Sequence, residues 1–146
     1  MSDSAAAMQA KVHSTIPLSR DMDFQIIKLS GDGVICFAPL EPNINIHGTG
    51  FAGSLYSLAI LSAWSYTSYL VEHHSLHAEL VIGSGKVHYA RPIETDIECR
   101  CSAEQADIDA FIDTLTSGRR AKIALEIDIN HGSAVVKALM VATPHH

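Results

Sequence analysis

The sequence predicts an α+β domain in which an antiparallel sheet wraps around one long central helix. Three observations predict it. Residues 42–71 contain no Asp, Glu, Lys or Arg, as expected of a helix enclosed on most sides. Strand-like segments precede and follow that run and need a layer to pack against. Gly31-Asp32-Gly33 and Asn130-His131-Gly132-Ser133 are turn signals of the kind that join antiparallel strands.

A run this apolar also raises a transmembrane helix, for which roughly 18 uncharged residues suffice. Its residue pattern favours the other reading. Ser54, Ser57, Ser65 and Ser68 fall within one arc at about 100° per residue, with Ser62 nearby, and no basic cluster flanks the run. The expectation is a soluble helix covered on one side by its own sheet. Its small-residue edge should be closed by a second subunit, because a single layer cannot cover every side.

The remaining elements follow in order. Residues 4–13 are helix-prone, and Pro17 disfavours helix at Ile16. Residues 22–29 and 34–40 read as a hairpin. After the central helix, residues 72–77 form a polar exit. Residues 78–89 and 95–102 are strands joined around Ala90-Arg91-Pro92-Ile93, and Gly83 and Gly85 suggest a bulge or a close approach within the first. Ile108, Phe111, Ile112 and Leu115 mark one face of a short helix that Gly118 ends. Residues 122–129 and 134–142 form a second hairpin.

At 146 residues and 47% apolar content the chain reads as one domain, residues 1–146, with a real core. A net charge of −6 argues against nucleic acid as the main partner, though not against a local basic patch for a phosphorylated ligand. Cys36, Cys99 and Cys101 are odd in number and match no zinc spacing. They read as reduced core thiols of a cytoplasmic protein. Residues 1–12 lack the regions of a signal peptide. His145 and His146 are given no role. His73 and His77 stand four apart, a spacing that grips a metal only where helix continues through both; no metal site is expected.

The entry to the central helix carries the candidate chemistry: Asn43-Ile44-Asn45-Ile46-His47-Gly48-Thr49-Gly50-Phe51-Ala52-Gly53-Ser54-Leu55. Thr49 is the expected N-cap. Gly48, Gly50 and Gly53 keep bulk away from a helix start whose N–H groups lack partners. The amides of Ala52 and Gly53 are suited to an oxyanion hole. Asn45 either holds a reacting group through its amide or bonds local backbone. His47 is either a general base or a loop histidine. Asn43 is expected to shape the loop.

Two stretches carry a resemblance: Asn45-x-x-Gly48-x-x-Phe51-Ala52-Gly53, and Val87-His88-Tyr89-Ala90-Arg91-Pro92-Ile93. The chain resembles the hotdog-fold thioesterases over nearly its whole length. It looks most like the thioesterase domain that follows an acetyltransferase domain in some bacterial proteins. In that group Asn43-x-Asn45-x-x-Gly48-Thr49-x-Phe51-Ala52-Gly53-Ser54-Leu55 recurs, with Trp64 further along the helix. The resemblance implies a hotdog fold, a homodimer often paired into a tetramer, and active sites at the dimer interface beside the helix N-terminus. It implies an acyl-thioester substrate carried by coenzyme A or an acyl carrier protein. No cofactor is required, since coenzyme A is part of the substrate.

On that resemblance Asn45, Gly53 and His47 are the catalytic candidates. Asn43, Thr49, Phe51, Ala52, Ser54, Trp64, Ser84, Gly85 and Arg91 are the substrate-binding candidates. Packing competes with function at Ser54, Tyr56 and Trp64, and solvation competes at Arg91, which has Lys86 nearby. The chain departs from the pattern in one respect. Many such enzymes carry an Asp or Glu one to two turns beyond the glycine matching Gly53, where Ile60 and Leu61 stand here. No Arg/Gln-x-x-Gly-x-Gly/Ala pyrophosphate loop is present either, so acetyl transfer is not expected. An acyl-CoA thioesterase is therefore expected, with a non-catalytic acyl-CoA or acyl-carrier-protein binding module as the alternative. A dehydratase is disfavoured, because the His and acidic pair it needs is not evident.

Overall fold

The central helix is the element that the sheet is built to cover. The structure, a computed structural model, describes residues 3–145; Met1, Ser2 and His146 lie outside the described residues. In chain order the elements are α1 (Asp3–Thr15), α2 (Leu18–Asp21), β1 (Gln25–Ser30), β2 (Gly33–Ala38), a 3-10 turn (Glu41–Asn43), α3 (Ala52–His73), β3 (Ala78–Tyr89), β4 (Ile97–Ser102), α4 (Gln105–Thr116), β5 (Ala121–Ile129) and β6 (Ala134–Pro144). The six strands form one sheet in the order β1-β2-β4-β5-β6-β3, and every neighbouring pair is antiparallel. α3 touches all six strands. The expected α+β architecture, a sheet wrapped on one long helix, is what the chain adopts.

Strand alternation produces the enclosure. On β5, Ala121, Ile123, Leu125, Ile127 and Ile129 are buried, while Lys122, Ala124 and Glu126 between them are exposed. β3 and β4 follow one another in sequence yet lie apart in the sheet. β4 sits between β2 and β5, and β3 crosses to the far edge beside β6. The suggested bulge lies in β3, where the register with β6 shifts between Ile82 and Ser84.

The serine arc divides: Ser54 and Ser57 are half-buried, while its later members are covered. Ser62, Ser65 and Ser68 are buried within the single chain rather than left for a second subunit to close. Ser62 and Ser65 donate to the carbonyls of Leu58 and Leu61 at 2.8 and 2.7 Å, and Thr67 donates to Ala63 at 2.8 Å. A hydroxyl that bonds its own helix presents mostly carbon and can be covered. The face of α3 left half-open instead carries Tyr56, Ile60 and Trp64, at successive i, i+4 positions.

The two edges of the sheet are unlike. Along β1, α1 packs alongside: Gln9 Oε1 accepts from the Ile26 amide at 2.8 Å, and the His13 ring meets the Phe24 carbonyl at 2.6 Å. β3 is 12 residues long, pairs with β6 alone, and is exposed over most of its length. No helix among the described residues is long and apolar enough to cross a membrane.

Candidate functional site

The loop before α3 is built around two asparagines. Asn43 is 1% exposed, and its Nδ2 donates to the carbonyls of Met22 and Pro39, each at 2.9 Å. Its own carbonyl accepts from the Phe51 amide at 2.8 Å, which fixes where α3 begins. Its Oδ1 is buried without a partner. Asn45 organises the tip. Its Oδ1 accepts from the amides of His47 and Thr49 at 2.9 and 3.1 Å, and its Nδ2 donates to Thr49 Oγ1 at 2.8 Å. Gly48 takes φ +76°, a conformation costly for any residue with a Cβ. The result is a closed turn with Ile46 94% exposed at its apex and His47 exposed beside it.

Thr49 is not the N-cap. Phe51 holds that position, and α3 starts at Ala52. The Thr49 hydroxyl is drawn to Asn45 instead, so no side chain caps the helix. The first-turn amides of Ala52, Gly53 and Ser54 find no acceptor among the described residues, and Ala52 and Gly53 are exposed. Gly53 has a packing reason to be glycine: a Cβ there would stand 2.7 Å from the Phe51 ring. Gly50 likewise leaves room for Leu55 and Ile93.

Two tyrosines frame this helix start, and the sequence reading gave them little weight. Tyr89, the last residue of β3, donates its hydroxyl to the Ala52 carbonyl at 2.8 Å. Burial raises its pKa, and the neighbouring Tyr56 raises it further, so the phenol stays protonated at neutral pH. Tyr56, one turn into α3, reaches across to β3. Its hydroxyl lies 1.9 Å from where a Cβ on Gly85 would be. The signal available in sequence was the matched pair of spacings, Ala52 to Tyr56 on a helix and Gly85 to Tyr89 on one face of a strand.

The other candidates are dispersed. Ser84 and Gly85 lie exposed on the β3 edge, and Gly85 is the residue that makes room for Tyr56. Arg91 is exposed, with one guanidinium nitrogen on the His131 carbonyl at 2.9 Å. Trp64 is half-buried roughly 16 Å along the helix from Gly53, taking 1.5 Å per residue. It lines a cavity of about 230 Å³ with Ser68, Val71, Leu76 and Leu80, and Lys11 Nζ stands 5.4 Å above its ring. α3 ends at His73, so His73 and His77 do not share the helical face that a paired metal grip needs.

Together these elements place uncapped backbone donors and two phenols at the uncharged N-terminal end of α3. The sequence family described as "Putative thioesterase (yiiD_Cterm)" matches residues 5–140. The chain belongs to this family. A Shewanella oneidensis protein described as a putative thioesterase superposes with a TM-score of 0.89 at 26% identity, over 99% of this chain and 100% of that one. A Chlorobaculum tepidum protein of unknown function gives 0.91 at 25% identity, over 97% and 94%. A Pseudomonas aeruginosa protein described as a probable thioesterase, at 17% identity and TM-score 0.78, shares the fold over 96% and 95%. The hotdog thioesterase fold expected from the loop motif is therefore that of this yiiD_Cterm domain and its structural relatives.

Proposed function

We propose that this chain hydrolyses an acyl-thioester of coenzyme A or of an acyl carrier protein, at a site completed where two copies meet. The observation that carries the reading is the start of α3. Its first amides have neither a side-chain cap nor an acceptor among the described residues, and Ala52 and Gly53 are exposed. A thioester carbonyl placed there gains donors that strengthen their hold as charge develops on oxygen, which is how such donors accelerate acyl transfer. His47 is exposed close by in sequence and serves as the candidate base. Asn45 acts by holding the loop, since its amide groups are taken by Thr49 and His47. Arg91 and Lys86 remain the candidate contacts for coenzyme A phosphates.

The bare β3 edge supports a second copy as the partner. Its 12 residues present an unpaired row of backbone groups beside exposed Val81, Ile82 and Tyr89, an arrangement that invites strand pairing. A particle of monomer mass by light scattering at micromolar concentration would remove the composite site.

Turnover is tested on a panel of acyl-CoA esters of graded length with a thiol-trapping readout. Hydrolysis that falls about 10²-fold or more in His47→Ala supports that role, and no turnover on any member refutes the enzymatic reading. A second reading has its own support. α3 carries no carboxylate before Glu72, and Asn45 is engaged within its own turn, so a binding module for acyl-CoA or acyl carrier protein is the alternative. Calorimetry showing tight binding of an acyl-CoA that stays intact for hours would select it.

A further inference from the structure

We infer that the Tyr56 hydroxyl is a second donor to the substrate carbonyl, acting with the Gly53 amide. The inference rests on the thioesterase reading above and adds a donor at the carbonyl, while His47 remains the candidate base.

Three observations lead to it. Tyr66 and Tyr89 each give their proton to a backbone carbonyl, of Gly31 and Ala52, at 2.8 Å. Tyr56 is half-buried against the core, yet its hydroxyl makes no hydrogen bond among the described residues. That oxygen is not among the fully buried atoms left without a partner, so the ring is held by packing while the hydroxyl stays open to an incoming acceptor. Next, the strand beside it has no side chain at the point of contact. A Cβ on Gly85 would fall 1.9 Å from the Tyr56 oxygen, so glycine at that position admits the hydroxyl to the gap between α3 and β3. Finally, the direction is right. Side chains on a helix lean over the turn N-terminal to their own Cα, which for Tyr56 is the turn holding Ala52 and Gly53.

The step balances without a further reagent. Water oxygen adds to the thioester carbonyl carbon, and the C=O pair moves onto oxygen, where the Tyr56 hydroxyl and the Gly53 amide donate to it. Collapse re-forms the C=O bond and breaks C–S. His47, the candidate base, takes the proton that water gives up on adding, sulfur leaves as thiolate, and His47 returns that proton to it. Tyr56 keeps its own proton throughout, so it stabilises charge and is not a base.

The test is Tyr56→Phe in the full chain, with steady-state kinetics on the best acyl-CoA of the panel. Loss of an oxyanion donor is expected to lower kcat by about 10²-fold with KM within about threefold, because the bond is made mainly in the transition state. The melting temperature should not fall, since the hydroxyl has no protein partner to lose. Gly85→Ala provides the second arm. It should lower kcat in the wild-type background and add little to Tyr56→Phe, because both remove the same hydroxyl from the same place. Wild-type turnover with Tyr56→Phe unchanged in kcat, or changed only in KM, overturns this inference and leaves the thioesterase reading standing. Absence of wild-type turnover overturns both.

Discussion

Replacing Asn43 with alanine should lower stability by about 2 kcal/mol, and the sum can be worked from its contacts. The side chain is 1% exposed and donates to two carbonyls, Met22 before β1 and Pro39 after β2. A typical net contribution of about 1 kcal/mol per hydrogen bond gives roughly 2 kcal/mol. Two carbonyls left without a donor add about 1 kcal/mol or more. Removing the orphaned Oδ1 offsets roughly 1 kcal/mol, because that atom is already buried without a partner. For a domain near 150 residues, each kcal/mol moves the melting temperature by about 2–4 °C, so the expected fall is about 4–8 °C. Thermal unfolding followed by circular dichroism measures it, with urea midpoints as a check. A shift under 1 °C would show that these two bonds do not hold the loop, and the account of how α3 is positioned would go with them.

Gly33→Ala should cost about 1–3 kcal/mol, because φ is +149° and the new Cβ would stand 2.5 Å from the Cys101 carbonyl oxygen. Gly31→Ala, two residues away with open space around it, should change urea stability by no more than about 0.5 kcal/mol, and equal effects would refute the distinction. Burial pushes the thiols of Cys99 and Cys101 up to about 12 and that of Cys36 upward as well. Their contribution is therefore full below the unfolded thiol value of about 8.5 and is lost as pH climbs from there towards 12. A Cys36→Ala/Cys99→Ala/Cys101→Ala variant should show a flatter fall in urea midpoint above pH 9 than the wild type, and an unchanged slope would contradict the assignment. Lys11→Met removes an exposed ion pair with Glu72, so stability should change by less than about 1 kcal/mol. Emission from Trp64, the single tryptophan, should nonetheless shift, because Lys11 stands over its ring.

The architecture was legible where local pattern and tertiary role coincide. Apolar and polar residues alternate along β5 because one face meets α3, so the strand could be read to within a residue. The lack of charge from Pro42 to Val71 reflects contact with all six strands. Sheet order was not legible, since nothing local separates β3 from β4 or sends β3 to the far edge. The burial of the later serines was not legible, because a hydroxyl bonded to its own helix, as at Ser62 and Ser65, is invisible to periodicity. Thr49 misled because two uses of one hydroxyl competed, and Asn45, four residues earlier, took it. The site was legible as a loop and a helix start, down to the exposed amides of Ala52 and Gly53. The Tyr56–Gly85 contact was not, since it depends on a strand laid beside the helix by the fold as a whole.

The unlike borders of the sheet limit how the molecule can grow. Gln9 and His13 occupy backbone positions along the β1 side, so an incoming strand finds that border blunted. The β3 border accepts one newcomer and is then used up. If the newcomer is another copy, joined about a two-fold axis, its own blunted border faces outward, and a ribbon of indefinite length cannot form. In such a pair the 12 residues of open strand are covered once, and the fibrous outcome that a bare edge invites is closed off.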